Sequence, residues 1–359
     1  MKVAMMGSWN TDSGAAIHAE LLGRALVDKG IDLKVFSFYR HSFHGTAFTK
    51  NPDEEESYVT RCFTVYNVPN EEMNTSVILA EDFDVFVVED LGMIPMRPLL
   101  DIYPQIKKRA KTVNIIHDGE LSDKPEFFRF DWDHVVCFDD RYRDFLKNAY
   151  QEAKISVIPF PSYPLKIGDK VEAREELGLP KEKKIVLFFG PSAVSAVNVP
   201  VVLDRLSEKY DIMGLLVTEA EAVLGRFNRI MGKTKFEMRV IEKAPSTDLL
   251  YKYLHASDCV IYDKESVPRV VVSSTIFQCL GAGCPFVAYD SNYTHSFSRE
   301  ILKYDNYYEL EENIVDIFEK GRKYHTQQQA MVSFLEENSA SVVADKFIAL
   351  FDILLKREG

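Results

Sequence analysis

Short apolar runs alternate with amphipathic helical stripes almost from end to end of this chain, and the alternation restarts once near its middle. Lys2 to Met6 is an apolar run that suits a strand covered on both faces. A polar, glycine-bearing turn follows from Gly7 to Gly14. Ala15 to Lys29 then carries a helical stripe through Ile17, Leu21, Leu22, Ala25 and Leu26, and Gly30 supplies a helix-ending glycine. Leu33 to Phe38 reads as the next strand and completes a βαβ unit.

Further strands are predicted at Val85 to Val88, Val113 to Ile116, His134 to Phe138 and Ile155 to Ile158, with helices at Pro98 to Ala110 and Arg141 to Tyr150. Strands alternating with helices predict a parallel sheet covered on both faces. The tract Pro159-Phe160-Pro161-Ser162-Tyr163-Pro164 cannot continue either element, because proline lacks the backbone donor, and it reads as an interdomain linker. The alternation then resumes. Strands are expected at Lys184 to Phe189, Met213 to Thr218, Phe236 to Ile241, Cys259 to Tyr262 and Pro285 to Tyr289. Helices are expected at Val199 to Tyr210, Glu219 to Met231, Leu249 to His255 and Ser274 to Leu280, and Tyr307 to Lys356 reads as helical throughout. With 359 residues the chain exceeds what one core usually serves, so two α/β domains are expected.

Composition narrows the function. The net charge of −12, without a basic cluster, argues against a nucleic-acid surface. Five cysteines without a CxxC pair fit a reducing compartment. Met1 leads directly into an apolar strand, so no signal peptide is expected. No run approaches the roughly 20 apolar residues of a membrane span. A soluble cytoplasmic protein is the expectation, and the sequence is silent on oligomeric state.

In open parallel sheets, ligands bind beyond the carboxyl ends of the strands. The first loop there is Gly7 to Gly14, whose glycines admit close backbone approach and whose following helix offers free N–H groups. It lacks a GxGxxG fingerprint. The second is His117-Asp118-Gly119, a histidine and an acid at a strand end, suited to donating to a sugar hydroxyl or positioning a reacting group. The third is Gly190-Pro191-Ser192. The fourth runs from Lys264 and Glu265 through Arg269 to Ser273, Ser274 and Thr275, where serines at a helix start and an arginine suit a diphosphate. The triplets Asp82-Phe83-Asp84 and Asp131-Trp132-Asp133 precede strands, the wrong end for a ligand, so they read as connections and no metal site is assigned.

These segments resemble the retaining GT-B glycosyltransferases, the glycogen-synthase and sucrose-synthase-like group. The resemblance lies in Met1 to Phe38, in His117-Asp118, in Val157-Ile158-Pro159 and in Leu187-Phe188-Phe189-Gly190. It is strongest in Leu254 to Val260 and in Gly281-Ala282-Gly283-Cys284-Pro285-Phe286-Val287-Ala288. It implies two doubly wound Rossmann-like domains facing a central cleft, with the last helices crossing back to the first domain. The domains would be an acceptor domain at 1–160, a nucleotide-sugar domain at 161–335 and a returning helix at 336–359. The implied activity is transfer of a sugar from a UDP- or GDP-sugar to a hydroxyl of a small-molecule or glycan acceptor, with retention, no cofactor and no metal.

The resemblance places His117 and Asp118 at the reaction. It assigns donor binding to Gly14, Gly190, Ser192, Glu265, Arg269, Ser273, Ser274, Thr275 and Gln278, and acceptor binding to Asn10, Ser13 and His18. Two family glutamates fall, counted back from Gly283, on Val270 and Gln278 here, and the family's arginine and lysine have no counterpart in Gly190 to Asn198. A catalytically eroded GT-B binding or regulatory subunit, and a GT-B nucleotide-sugar epimerase, are the alternatives.

Overall fold

A computed structural model describes residues 1–43, 48–66 and 68–356. Two compact units emerge. The first comprises Met1–Pro161, the short segment Arg269–Ser274 and the C-terminal part from Asn338; the second comprises Ser162–Pro268 and Thr275–Glu337. The segment Arg269–Ser274 lies in sequence within the region expected to form the second domain, yet it packs into the first unit.

The first unit runs β1 (Lys2–Met6), α1 (Gly14–Asp28), β2 (Asp32–Phe38), β3 (Val59–Phe63), α2 (Thr75–Ala80), β4 (Val85–Glu89), α3 (Met96–Lys107), β5 (Lys111–Ile115), β6 (His134–Cys137), α4 (Asp140–Leu146) and β7 (Ile155–Val157). Its seven strands are parallel in the order β3-β2-β1-β4-β5-β6-β7. Strand β4 is buried at every position, as expected for a central parallel strand. The order reverses between β1 and β4, so the loops leaving these strands diverge and open a crevice at their carboxyl ends.

The second unit holds α5 (Lys170–Glu176), β8 (Lys184–Phe189), α6 (Val199–Leu206), β9 (Ile212–Val217), α7 (Glu221–Asn228), β10 (Glu237–Ile241), α8 (Thr247–Ala256), β11 (Cys259–Tyr262), α9 (Ser274–Leu280), β12 (Phe286–Tyr289), β13 (Leu302–Tyr304), α10 (Tyr307–Phe318) and α11 (Arg322–Glu337). Its six strands are parallel, in the order β10-β9-β8-β11-β12-β13, with the reversal between β8 and β11. Its core joins Val186, Phe188, Leu216 and Ile261 of the sheet to Leu203, Phe227 and Ile314 of the helices.

The region read as helical throughout, from Tyr307 to Lys356, consists of three helices, α10, α11 and α12 (Ala340–Lys356). Lys320, at φ 52°, and Gly321 end α10, and a break at Asn338 and Ser339 precedes α12. The last helix returns to the first unit and packs on α1, where Phe347 is fully buried and Lys29 pairs with Asp345 at 2.7 Å. Residues 357–359 of the expected returning helix lie outside the described residues. Strands β3 and β13 were not predicted; they are a five-residue and a three-residue strand at the sheet edges, too weakly apolar to stand out.

Both aspartate triplets lie where expected, at the amino ends of strands. Asp82 pairs with Lys2, Asp84 accepts from the Lys2 N–H at 2.7 Å, and Asp131 and Asp133 pair with Lys107. Among the described residues, no helix is long and apolar enough to cross a membrane.

Replacing Phe347 with alanine removes one of the two fully buried phenylalanines of α12. The loss is expected to be about 3–5 kcal/mol of unfolding free energy, measured by urea denaturation. A loss below about 1 kcal/mol would show that α12 is not part of the first unit's core.

Candidate active site

The reversal between β1 and β4 brings Gly7, the residue after β1, against Glu89, the last residue of β4. A Cβ on Gly7 would lie 2.7 Å from Glu89 Cβ and 2.9 Å from its carbonyl oxygen, so only glycine lets the two strands release a carboxylate here. Glu89 is fully buried and accepts from two histidines. His18, from α1, places Nδ1 at 3.0 and 3.1 Å from the two carboxylate oxygens. His117, in the loop after β5, places Nε2 at 2.9 Å from Oε2.

The electrostatics follow from this packing. Burial alone would raise the Glu89 carboxyl, but the charges and hydrogen bonds of His18 and His117 overcome it and hold it down at about 2. His18 is also fully buried, edge-on to Phe160 and near Phe138 and Phe347, and desolvation lowers its pKa against the charge and hydrogen bond of Glu89. His117 goes the other way. Burial pulls it down, yet the hydrogen bond and charge of Glu89, with Asp90 and Asp118, raise it above its usual value.

Asp90 follows Glu89 in a left-handed conformation, φ 57° and ψ 76°. Burial, with Asp118 and Glu89 close by, pushes its carboxyl up to about 6 despite the attraction of His117. Around Asp90 and His117 lies a cavity of about 180 Å³, lined also by Gly14 and Ala15 at the start of α1, Ser274, and the rings of Phe138, Tyr142 and Phe160. Acid, imidazole, helix start and aromatic faces therefore meet at one switch point. Such a wall can grip a polar ring of sugar size.

The segment Arg269–Ser274 closes one side by backbone contact. Val270 donates its N–H to the Gly119 carbonyl at 3.0 Å, and a Cβ on Gly119 would fall 1.6 Å from the Val270 carbonyl oxygen. Arg141, paired with Asp139, donates to the Val271 carbonyl at 3.1 Å. His18 Nδ1, the Glu89 carboxylate and His117 Nε2 lie within 4.8 Å of one another and are of metal-ligating type. The hydrogen bonds just described account for that closeness without an ion.

The second unit has its own cavity at its own switch point. It holds about 220 Å³ and is lined by Ser195, Asn198, Asp263, Glu265, Tyr289, Tyr304, Asp305, Asn306 and Tyr307. Tyr304 donates to Asp263 Oδ1 at 2.7 Å, and burial raises the Asp263 carboxyl, with Tyr304 opposing and Glu265 adding to the rise.

The residues singled out in the sequence fall into three groups. His117, Gly14 and Ser274 meet at the first cavity, with Asp118 one residue away, its carboxyl raised by burial against the charges of His117, Lys124 and Arg269. Glu265 lines the second cavity. The rest occupy other settings. Asn10 is fully buried at φ 54°, with its side chain held by Glu55, Glu56 and Arg24. Ser13 caps α1 by accepting from the Ala16 N–H at 3.2 Å, and His18 lies inside on Glu89. Each of these three side chains has hydrogen-bond partners within the first unit. Gly190 opens its loop at φ 67°, Ser192 donates to the Phe189 carbonyl, Ser273 is buried, and Thr275 and Gln278 are half-buried in α9.

Sequence reasoning missed Glu89 and Asp90. The available signal was a pair of acids directly after the apolar run Val85 to Val88, on the ligand side of the sheet.

No protein-family model matches this sequence. Solved structures match it along its whole length. A glycosyltransferase from Rickettsia africae ESF-5 is 17% identical with a TM-score of 0.72, covering 99% of this chain and 98% of that one. Anabaena Alr3699/HepE in complex with UDP and glucose is 14% identical with a TM-score of 0.72, covering 98% and 99%. Sucrose-phosphate synthase from Thermosynechococcus elongatus is 13% identical with a TM-score of 0.68, covering 99% and 100%. The fold of this chain is thus the two-domain Rossmann-like fold of the GT-B glycosyltransferases.

Two outcomes are expected. Gly119→Ala forces Val270 away and is expected to cost about 1–3 kcal/mol in urea unfolding. For Glu89, a folded value of about 2 against the ordinary 4.5 gives stability that is complete above pH 4.5 and lost as pH falls toward 2. The stability advantage of the wild type over Glu89→Gln should therefore shrink between about pH 5 and pH 2.5; an advantage constant with pH would contradict the ionised assignment.

Proposed function

We propose that the protein is a retaining glycosyltransferase that moves a sugar from a UDP- or GDP-sugar to a hydroxyl of a small-molecule or glycan acceptor, without a metal ion or cofactor. The observation that carries this reading is the meeting of His117, Asp90, Ser274 and the start of α1 around a cavity of about 180 Å³ at the first sheet's switch point. The fold shared with a structure solved with UDP and glucose supports it. His117 donates to the sugar, Asp90 accepts from a hydroxyl, and the aromatic faces of Phe138, Tyr142 and Phe160 pack against the ring. In the transfer, the bond from the sugar carbon to the diphosphate oxygen breaks as the bond to the acceptor oxygen forms. The acceptor proton passes to the departing diphosphate, which leaves as the nucleoside diphosphate. The residues contribute positioning and charge stabilisation.

In the second unit's cavity, Tyr289, Tyr304 and Tyr307 offer faces for a base, and Asp263 and Glu265 offer acceptors for ribose hydroxyls. Arg269 with Ser273 and Ser274 is assigned to the diphosphate, because the loop from Gly190 to Asn198 carries no lysine or arginine. One observation favours a second reading, a GT-B-shaped binding or regulatory subunit without turnover. Among the described residues, the second cavity's lining includes Asp263, Glu265 and Asp305 but no cationic side chain.

Calorimetric titration with UDP-, GDP- and ADP-sugars, followed by an assay for nucleotide release, separates the readings. The transferase reading expects binding of one donor and acceptor-dependent release. It further expects His117→Ala to lower kcat/KM by about 10²-fold or more and Arg269→Ala to abolish turnover or donor affinity with the fold intact. Wild-type activity in Arg269→Ala removes the phosphate assignment, binding without release supports the subunit, and acceptor-independent conversion of the donor supports an epimerase.

A further inference from the structure

His117 has two ring nitrogens with unequal surroundings. Nε2 is engaged by the Glu89 carboxylate at 2.9 Å, and Nδ1 has no partner among the described residues and is not a fully buried atom. Since the ring lines the cavity, that free edge is the one a ligand meets. Glu89 itself cannot turn. Gly7 backs it at a distance no Cβ would allow, and His18 Nδ1 lies within hydrogen-bond reach of both of its oxygens.

We infer that Glu89, anchored by His18, is a positioning residue that fixes His117 with Nδ1 toward the cavity and keeps the ring doubly protonated, so that the cavity owns one oriented, positively charged hydrogen-bond donor. An ionised carboxylate can accept but not donate, so the Nε2 proton of His117 and the Nδ1 proton of His18 are set by the shared partner. Of the two rings, His117 takes the extra proton. His18 is sealed among phenylalanine rings with its Nε2 buried and unpartnered, whereas the His117 side chain keeps 12% of its surface. The buried anion is thereby matched by one imidazolium, which relieves the cost of an uncompensated charge. A charged donor makes a hydrogen bond roughly twice as strong as a neutral one.

The charged and titratable groups facing this ring are Glu89 and Asp90 after β4, Asp118 on its own loop and His18 on α1, with Arg269 and Lys124 acting on Asp118. Asp90, pushed up to about 6, defines the other limit. Above about pH 6 and below the raised His117 value, the cavity presents a carboxylate and an imidazolium side by side, a donor–acceptor pair for adjacent hydroxyls. At lower pH Asp90 takes up a proton, and at higher pH His117 loses one. The part played in sugar transfer rests on the transferase reading; the orientation and charge of the ring do not.

The test is a long-range proton–nitrogen NMR titration of the ligand-free, ¹⁵N-labelled full chain from about pH 5 to 9, with the His117 signals assigned through His117→Gln. In the wild type, His117 should titrate above the ordinary imidazole value of about 6.5, and its neutral form should carry the proton on Nε2. In Glu89→Gln its pKa should drop by about one unit or more, a tenfold easier loss of the proton. A wild-type pKa at or below about 6.5, or a neutral form protonated on Nδ1, overturns the inference. Should Glu89→Gln not fold, the wild-type titration still decides. Expected titration with no sugar transfer to any acceptor leaves the positioning of His117 standing and removes only the transferase reading.

Discussion

Glu89 is a carboxylate with no exposed surface at the carboxyl end of a central strand, and the first unit is organised around making that tolerable. An isolated buried charge would cost several kcal/mol even after relaxation. Here it receives hydrogen bonds from helix α1 through His18 and from the loop after β5 through His117. One side chain therefore ties together three elements that the chain order keeps far apart. The glycine that begins the first ligand-side loop, Gly7, is required by the same group, because nothing larger fits against it. Loop, helix start, histidine and acid are consequently fixed relative to one another before any ligand arrives.

The two units obey one topological rule with different chemistry. Each parallel sheet reverses its strand order once, and each has a cavity at that reversal. In the first unit the cavity wall pairs His117 with Asp90 beside aromatic rings. In the second it gathers three carboxylates and three tyrosines. A diphosphate would be repelled by such a wall and a nucleoside's hydroxyls would not. The segment from Arg269 to Ser274, which carries one cation, packs with the first unit. That segment is held by backbone contacts with Gly119 and by Arg141, which makes its position a property of the first sheet's loops.

Much of the fold was legible because burial on both faces writes parallel strands as apolar runs. β1, β2, β4, β5, β6, β8, β9, β11 and β12 were all found this way, and their order placed His117 at a ligand-side loop. The edge strands β7 and β10 were found as well; β3 and β13 escaped, the one with Thr60 and Arg61 at its centre and the other only three residues long. The three-way division of the C-terminal helices escaped because a single left-handed residue, Lys320, and a short break at Asn338 leave the helical periodicity on either side intact. The burial of Asn10 and His18 was not legible, because the hydrogen bonds to Glu56 and Glu89 that take them inside join residues far apart in the chain.

What the sequence determined by itself was the pair of doubly wound units, the proline tract joining them, and His117 with Asp118 at the mouth of a strand. Local periodicity and the chemistry of glycine and proline suffice for those, since they act over a few residues. What only the tertiary structure decided was which side chains share a charge. Glu89 and Asp90 follow each other in sequence, yet one is held ionised at about 2 and the other is pushed up to about 6. The difference arises because Glu89 meets two histidines whose charges and hydrogen bonds outweigh its burial, whereas Asp90, in a left-handed turn at the cavity, is desolvated with Asp118 and Glu89 nearby. Electrostatic energies inside a protein depend on distance and solvent access across the fold, and the order of residues along the chain carries neither.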